Sequence, residues 1–279
     1  MESIFNKFKR EFKQGTILNK IIYINVLSFL FFNIFSVIFS LFLIDINYIK
    51  ELLVLPSSTK EVIKQPWSLV SYMFIHDNFI HLIFNLIWLH FGGKLFIQYL
   101  NQKQLLNIYI TGGICGGLLF IISFNYLPAL IDFGNHHLIG ASASVIAIFC
   151  AIATHIPNYN VKIPFIGFAK LKYLALIYII LNFIYIEPEI SKNPGGKIAH
   201  LGGALFGFLY VKQLLNITSK NKKNSFLSYL KKIFISQKTK NKKNHQMKEI
   251  DVILEKISKS GYNSLTKTEK ELLFKSSKK

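Results

Sequence analysis

The chain has 279 residues, is 51% hydrophobic and carries a formal net charge of +19 at pH 7. That pairing excludes an ordinary soluble domain unless apolar residues and lysines are segregated along the chain, and here they are. The apolar residues fall in six long runs, at about 18–44, 79–99, 105–127, 138–156, 171–186 and 198–215, while all the lysines except Lys20, Lys94, Lys172 and Lys212 lie outside them. A helix of about 20 apolar residues spans ~30 Å of hydrocarbon. The predicted fold class is all-α: a polytopic membrane protein with six transmembrane helices in one bundle and a small cytoplasmic helical tail.

Residues 1–17 form a basic segment with Lys7, Lys9, Arg10 and Lys13. The run that follows is expected to be a retained span, because it is too long for a removable signal peptide and has no small-residue cleavage site. Lysine bias sets the orientation. Lys103 lies in the second loop, and Lys162, Lys170 and Lys172 lie in or beside the fourth. From Lys212 onward there are 18 lysines against five acidic residues. The intervening loops are neutral or slightly acidic, so both termini are expected in the cytoplasm, which suits an even number of spans.

With that topology, spans two, four and six all enter from the outer side. Span two meets His81 at once and Asn85 one turn deeper, on the same helix face. Span four meets Ser142 within Gly140-Ala141-Ser142-Ala143-Ser144, and span six meets His200. Polar and ionisable groups at such depth face the protein interior and mark function by default. The set suits acyl transfer. A serine hydroxyl needs a base to take its proton, and His200 can do so and then protonate the leaving amine. Spans two to six hold no acidic residue apart from Glu187 and Glu189 at the outer margin of span five, so a Ser–His dyad is expected, its imidazole oriented by packing. Candidate donors for the tetrahedral oxyanion are the Asn85 amide, the His81 ring N–H and the Ser142 backbone N–H, helped by the dipole of span four. Gly140 and Ala143 are the small residues expected to let a substrate backbone approach Ser142.

The other polar residues have plainer readings. Ser144 faces about 200° away from Ser142 on a helix and is expected to bond back to the helix. His90 is expected to be packed and hydrogen-bonded, and His76, His136 and His137 to be loop residues. Cys115 and Cys150 read as buried, unreactive thiols. No cofactor and no metal is expected, there being no H-E-x-x-H pattern. Span three carries overlapping small-xxx-small patterns, Gly112/Gly116 and Gly113/Gly117, and span six carries Gly203/Gly207, which allow close helix approach.

These residues resemble the rhomboid family of intramembrane serine proteases over about residues 18–215. The carriers are His81-x3-Asn85, Gly140-x-Ser142 and Ala199-His200-Leu201-Gly202-Gly203. The resemblance implies Ser142 as nucleophile, His200 as base, Asn85 and His81 in the oxyanion hole, and single-span or polytopic membrane-protein substrates cut near the outer face. Three positions depart from the common pattern: Ala143 for a glycine, Ser68 for the arginine after Trp67, and Ile146 for an aromatic residue that stacks on the histidine. The alternative they suggest is a catalytically inactive rhomboid-like protein that binds membrane clients. A transporter is disfavoured, since the polar groups gather at one face and no paired halves are evident.

Residues 216–245 read as a basic linker with an aromatic-aliphatic patch at 226–235. In the tail, 246–279, the spacing of Ile250, Ile253, Leu254 and Ile257 predicts an amphipathic helix over 247–258, and Thr266-x-x-Glu269 predicts a capping box before Leu272, Leu273 and Phe274. The basic tail suits anionic lipid headgroups rather than nucleic acid. It is similar to tails on some bacterial rhomboids, so the expected location is a bacterial inner (plasma) membrane.

Overall fold

The computed structural model describes residues 12, 14–44, 47–132, 134–163, 167–187, 193–213, 255–261, 266–268 and 270. Six longer helices occur among them: α1 (Ile17–Leu41), α2 (Phe79–Tyr99), α3 (Gln102–Tyr126), α4 (Ser142–His155), α5 (Leu171–Ile184) and α6 (194–213). By length and composition, α1, α2 and α3 are long and apolar enough to cross a membrane, while α4 and α5 are shorter apolar helices.

Local chemistry explains where these helices begin. The Thr16 hydroxyl caps α1 by accepting from the Asn19 N–H at 3.2 Å, and the Asn78 carboxamide caps α2 by accepting from the His81 N–H at 2.8 Å. Helix α3 starts at Gln102, three residues before its apolar run, because Asn101 and Gln104 form a reciprocal capping box. Helix α6 starts at 194 rather than 198: Asn193 accepts from the Gly196 N–H at 2.8 Å, and Pro194 occupies the first helical position. The largest departure from the sequence reading is span four, which begins at Ser142 rather than 138. Residues His137–Leu138 form a short strand, β2, paired antiparallel with β1 (Leu55–Pro56), and Gly140 then turns the chain at φ +101°.

Helix α4 is the centre of the bundle. Every residue from Ala143 to Ala153 is buried, so the helix is apolar on all sides. Glycines set how closely its neighbours come. A Cβ on Gly112 of α3 would strike the Ala147 side chain, and one on Gly203 or Gly207 of α6 would strike the Ala143 or Ala147 carbonyl. Helices α3 and α6 also meet backbone to backbone, since a Cβ on Gly202 would lie 2.9 Å from the Gly116 Cα. Helix α1 sits outside this core. Of its residues only Leu18, Ile21 and Asn25 are buried, with Asn25 Nδ2 donating to the Tyr109 hydroxyl of α3 at 3.1 Å. Much of its remaining surface, including Leu27, Phe31, Ile34 and Ile38, is exposed hydrocarbon of the kind a bilayer covers.

The segment between α1 and α2 is anchored from several directions. The Trp67 indole N–H donates to the Leu52 carbonyl at 2.8 Å, and the Ser71 hydroxyl donates to the Leu53 carbonyl at 2.6 Å. The Tyr72 hydroxyl donates to the Gly113 carbonyl at 2.7 Å, while its own carbonyl accepts from the Gly140 N–H at 2.9 Å. Between α4 and α5, strands β3 (Asn160–Ile163) and β4 (Gly167–Lys170) pair antiparallel.

Residues Leu215–Lys279 form a second compact unit. Its described part is a helix over 255–260 with a Lys259–Glu255 pair at 2.8 Å, closed by Gly261 at φ +76° with its N–H on the Ile257 carbonyl. The Lys270 N–H reaches the Thr266 carbonyl, opening a further helical turn. The linker 216–245, its patch at 226–235, residues 247–254 of the expected amphipathic helix, Glu269 and residues 272–274 lie outside the described residues.

Candidate active site

Strand β2 and the Gly140 turn deliver Ser142 to the first position of α4, where its side chain is half-buried. His200 stands nearly two turns into α6, and its Nε2 lies 2.7 Å from the Ser142 Oγ. Gly203, one turn beyond His200, explains why the two helices come close enough for that contact. The other ring nitrogen, Nδ1, lies 2.8 Å from Asn182 Oδ1 and 3.1 Å from the Tyr178 hydroxyl, both on α5. The Tyr178 ring also leans on the imidazole, centroids 6.1 Å apart and planes inclined at 42°. The arrangement can pass a proton from the serine hydroxyl to an imidazole held at its far nitrogen.

Asn85 and His81 face this pair from α2. Asn85 is 7% exposed, and its Nδ2 has no hydrogen-bond partner. An amide donor left open in a buried site is costly unless a ligand oxygen fills it, and it borders the groove that holds Ser142. The Ser142 N–H sits in the first turn of α4, where backbone donors have no intrahelical acceptor. His81 is packed against Gly140: a Cβ there would come within 2.7 Å of its ring. Beneath it lies His76, 5% exposed, with ring centroids 5.2 Å apart. Burial pushes the His76 imidazole down to about 4, and the neighbouring His81 adds to the effect.

A groove of about 450 Å³ opens onto Ser142 and His200. Apolar side chains of α2 and α5 form its sides, Phe84 and Trp88 opposite Ile177 and Leu181, with Phe149 of α4 among its lining. Its shape and chemistry suit an extended apolar segment with a polar reacting centre at one end.

Several expectations are corrected. Ala143 does not border the groove; it is 1% exposed, and its methyl faces Gly116 of α3. Gly140 is also buried, and the space its missing side chain leaves is filled by His81 rather than left for substrate. Ile146 does not deprive His200 of an aromatic neighbour, because Tyr178 supplies one from α5. Ser144 is turned away from the site, but its hydroxyl makes no bond back to the helix; it is fully buried against Gly113 without a partner. His90 is exposed on α2 rather than packed in the core. His76 is a buried residue of the site's underside, not a solvated loop residue. His136 holds the loop before α4, its N–H donating to the Ser57 hydroxyl at 3.0 Å, and His137 is exposed.

Two residues of this constellation, Tyr178 and Asn182, were missed at the level of sequence. The signal was present: Asn182 is an isolated polar residue within an apolar span, and Tyr178 precedes it by one turn on the same face.

Comparison with known proteins agrees with the resemblance stated above. The profile of the Rhomboid domain matches residues 64–217, which include all of these site residues, and a family of unknown function (DUF6576) matches residues 234–279. The chain is 29% identical over 147 residues to presenilin-associated rhomboid-like protein A, mitochondrial, of Danio rerio. That match covers 50% of this chain and 35% of the relative, so the chain spans about a third of the relative's length.

Proposed function

The chain belongs to the rhomboid family of membrane proteins, and from that premise we propose that it is an intramembrane serine endopeptidase using Ser142 and His200. The observation that carries this reading is the 2.7 Å contact between Ser142 Oγ and His200 Nε2 at the end of an apolar groove. Six spans with both termini cytoplasmic put that end at the outer face, since Lys103, Lys162, Lys170 and Lys172 sit at the opposite helix ends. The location proposed with this reading is a bacterial inner (plasma) membrane, where the basic tail would meet anionic headgroups.

The reaction proceeds in two halves. Ser142 Oγ attacks the scissile carbonyl as its proton moves to His200 Nε2. The carbonyl oxygen becomes an oxyanion, received by the open Asn85 Nδ2–H, the Ser142 backbone N–H and the His81 ring N–H. His200 returns its proton to the departing amine as the C–N bond breaks, leaving an acyl-serine. Water, deprotonated by the same imidazole, then releases the acid and restores the serine. Substrates are single-span or polytopic membrane proteins whose apolar segment fits the groove.

The test is cleavage of a panel of single-span substrates by the purified full chain in liposomes. Cleavage that disappears in Ser142→Ala is the expected result. A wild-type chain that binds these substrates yet cuts none of them points instead to client binding without catalysis.

A further inference from the structure

Resting on the protease reading, we propose that Asn182 is a positioning residue that sets the tautomer of His200, so that the Ser142–His200 pair is held by a hydrogen-bonded chain anchored on α5. Asn182 Nδ2 donates to the Tyr178 main-chain oxygen at 2.8 Å. A carbonyl can only accept, so the amide nitrogen is committed to that side and the Oδ1 atom faces His200. Oδ1 can likewise only accept, and it lies 2.8 Å from Nδ1. Nδ1 therefore carries the proton. A neutral imidazole has one N–H, so Nε2 is left with a lone pair, 2.7 Å from the Ser142 hydroxyl. Each direction in the chain follows from the one before, ending with a serine that must donate to the base.

The competing arrangement has the Tyr178 hydroxyl, 3.1 Å away, donating to an unprotonated Nδ1. It would set two lone pairs, those of Nδ1 and Asn182 Oδ1, against each other at 2.8 Å. It would also place the ring proton on Nε2, where the serine needs an acceptor. Other groups facing the ring are Ser142 from α4, His81 from α2, and Lys197 on its own helix. Among these described groups there is no carboxylate, so a neutral amide is what holds the imidazole.

The position of Asn182 gives the device a second property. Of the residues of α5, only Leu171, Ala175 and Asn182 are buried, and Asn182 is the one in the last two turns. The acceptor that fixes the His200 proton on Nδ1 is thus carried by α5 rather than by the helices that bear Ser142 and His200.

The test compares three variants of the full chain in liposomes on one cleaved substrate, with Ser142→Ala as reference. Asn182→Leu keeps the volume and removes the acceptor; kcat is expected to fall about 10- to 100-fold with KM little changed, within the ~10²–10⁴ that a general base contributes. Asn182→Asp keeps an acceptor and adds charge that stabilises the imidazolium, so activity is retained and the acidic limb of the kcat–pH profile moves to higher pH. Tyr178→Phe is expected to lose less than Asn182→Leu. If Asn182→Leu and Asn182→Asp both keep the wild-type kcat and acidic limb, while Ser142→Ala is dead, the tautomer anchor is wrong and the protease reading stands. A larger loss in Tyr178→Phe than in Asn182→Leu overturns the anchor in favour of the hydroxyl. Cleavage that survives Ser142→Ala overturns the protease reading and this proposal with it.

Discussion

Asn85 offers the clearest separation of catalysis from folding. Its Nδ2 is buried without a partner, so the folded chain loses no hydrogen bond from that atom when the amide is removed. Asn85→Ala is therefore expected to lower kcat by about 10²–10³-fold, the usual cost of one oxyanion donor, with thermal stability nearly unchanged. Steady-state cleavage alongside a melting curve checks both halves. His76 makes a different residue-scale prediction. Its folded pKa of about 4 lies below the ordinary 6.5, so between those values the unfolded chain binds the extra proton. Stability should then fall as pH drops from about 6.5 towards 4, by ~3 kcal/mol for this group alone, and level off below. His76→Phe is expected to flatten that part of the melting-temperature profile.

At the scale of elements, the site depends on how tightly α4 is clamped. Gly203→Ala would drive a methyl into the Ala143 carbonyl, one turn along α6 from His200. It is expected to cost about 1–3 kcal/mol from overpacking and to separate His200 from Ser142, with cleavage falling in parallel. Gly92→Ala is the control, since its Cβ would meet neighbours no closer than 3.8 Å; stability and activity should both persist. Melting curves and cleavage rates on the two variants decide it. What the sequence concealed at this scale has a physical origin. The six apolar runs were legible because lipid and core ask for the same residues. For the same reason, the run from 138 could not reveal that its first residues pair with Leu55–Pro56 and turn at Gly140 before α4 begins. The placement of Ser142, His200, His81 and Asn85 near helix starts was readable, because each lies within two turns of one. The orientation of His200 was not, as it depends on which face α5 presents. Ala143 looked like a substrate contact by its nearness to Ser142, but one step along a helix turns a side chain by about 100°, here onto α3.

Across the whole molecule, the proposed orientation places both termini in the cytoplasm. A reporter active only outside the cytoplasm, fused after Lys279, should stay silent. The same reporter inserted between α3 and α4, at 134–135, should be active. Silence at both sites or activity at both contradicts an even number of spans. The end of the linker and the tail, residues 234–279, match a family of unknown function, and removing them is expected to weaken the preference of the chain for anionic over neutral vesicles. The most direct test of the central claim is to map a fluorophosphonate adduct by mass spectrometry on the liposome-embedded chain. The account predicts modification at Ser142, slowed at least ~10²-fold in His200→Ala as a base is lost. An adduct on Ser144, or equal labelling of Ser142 with and without His200, would contradict it.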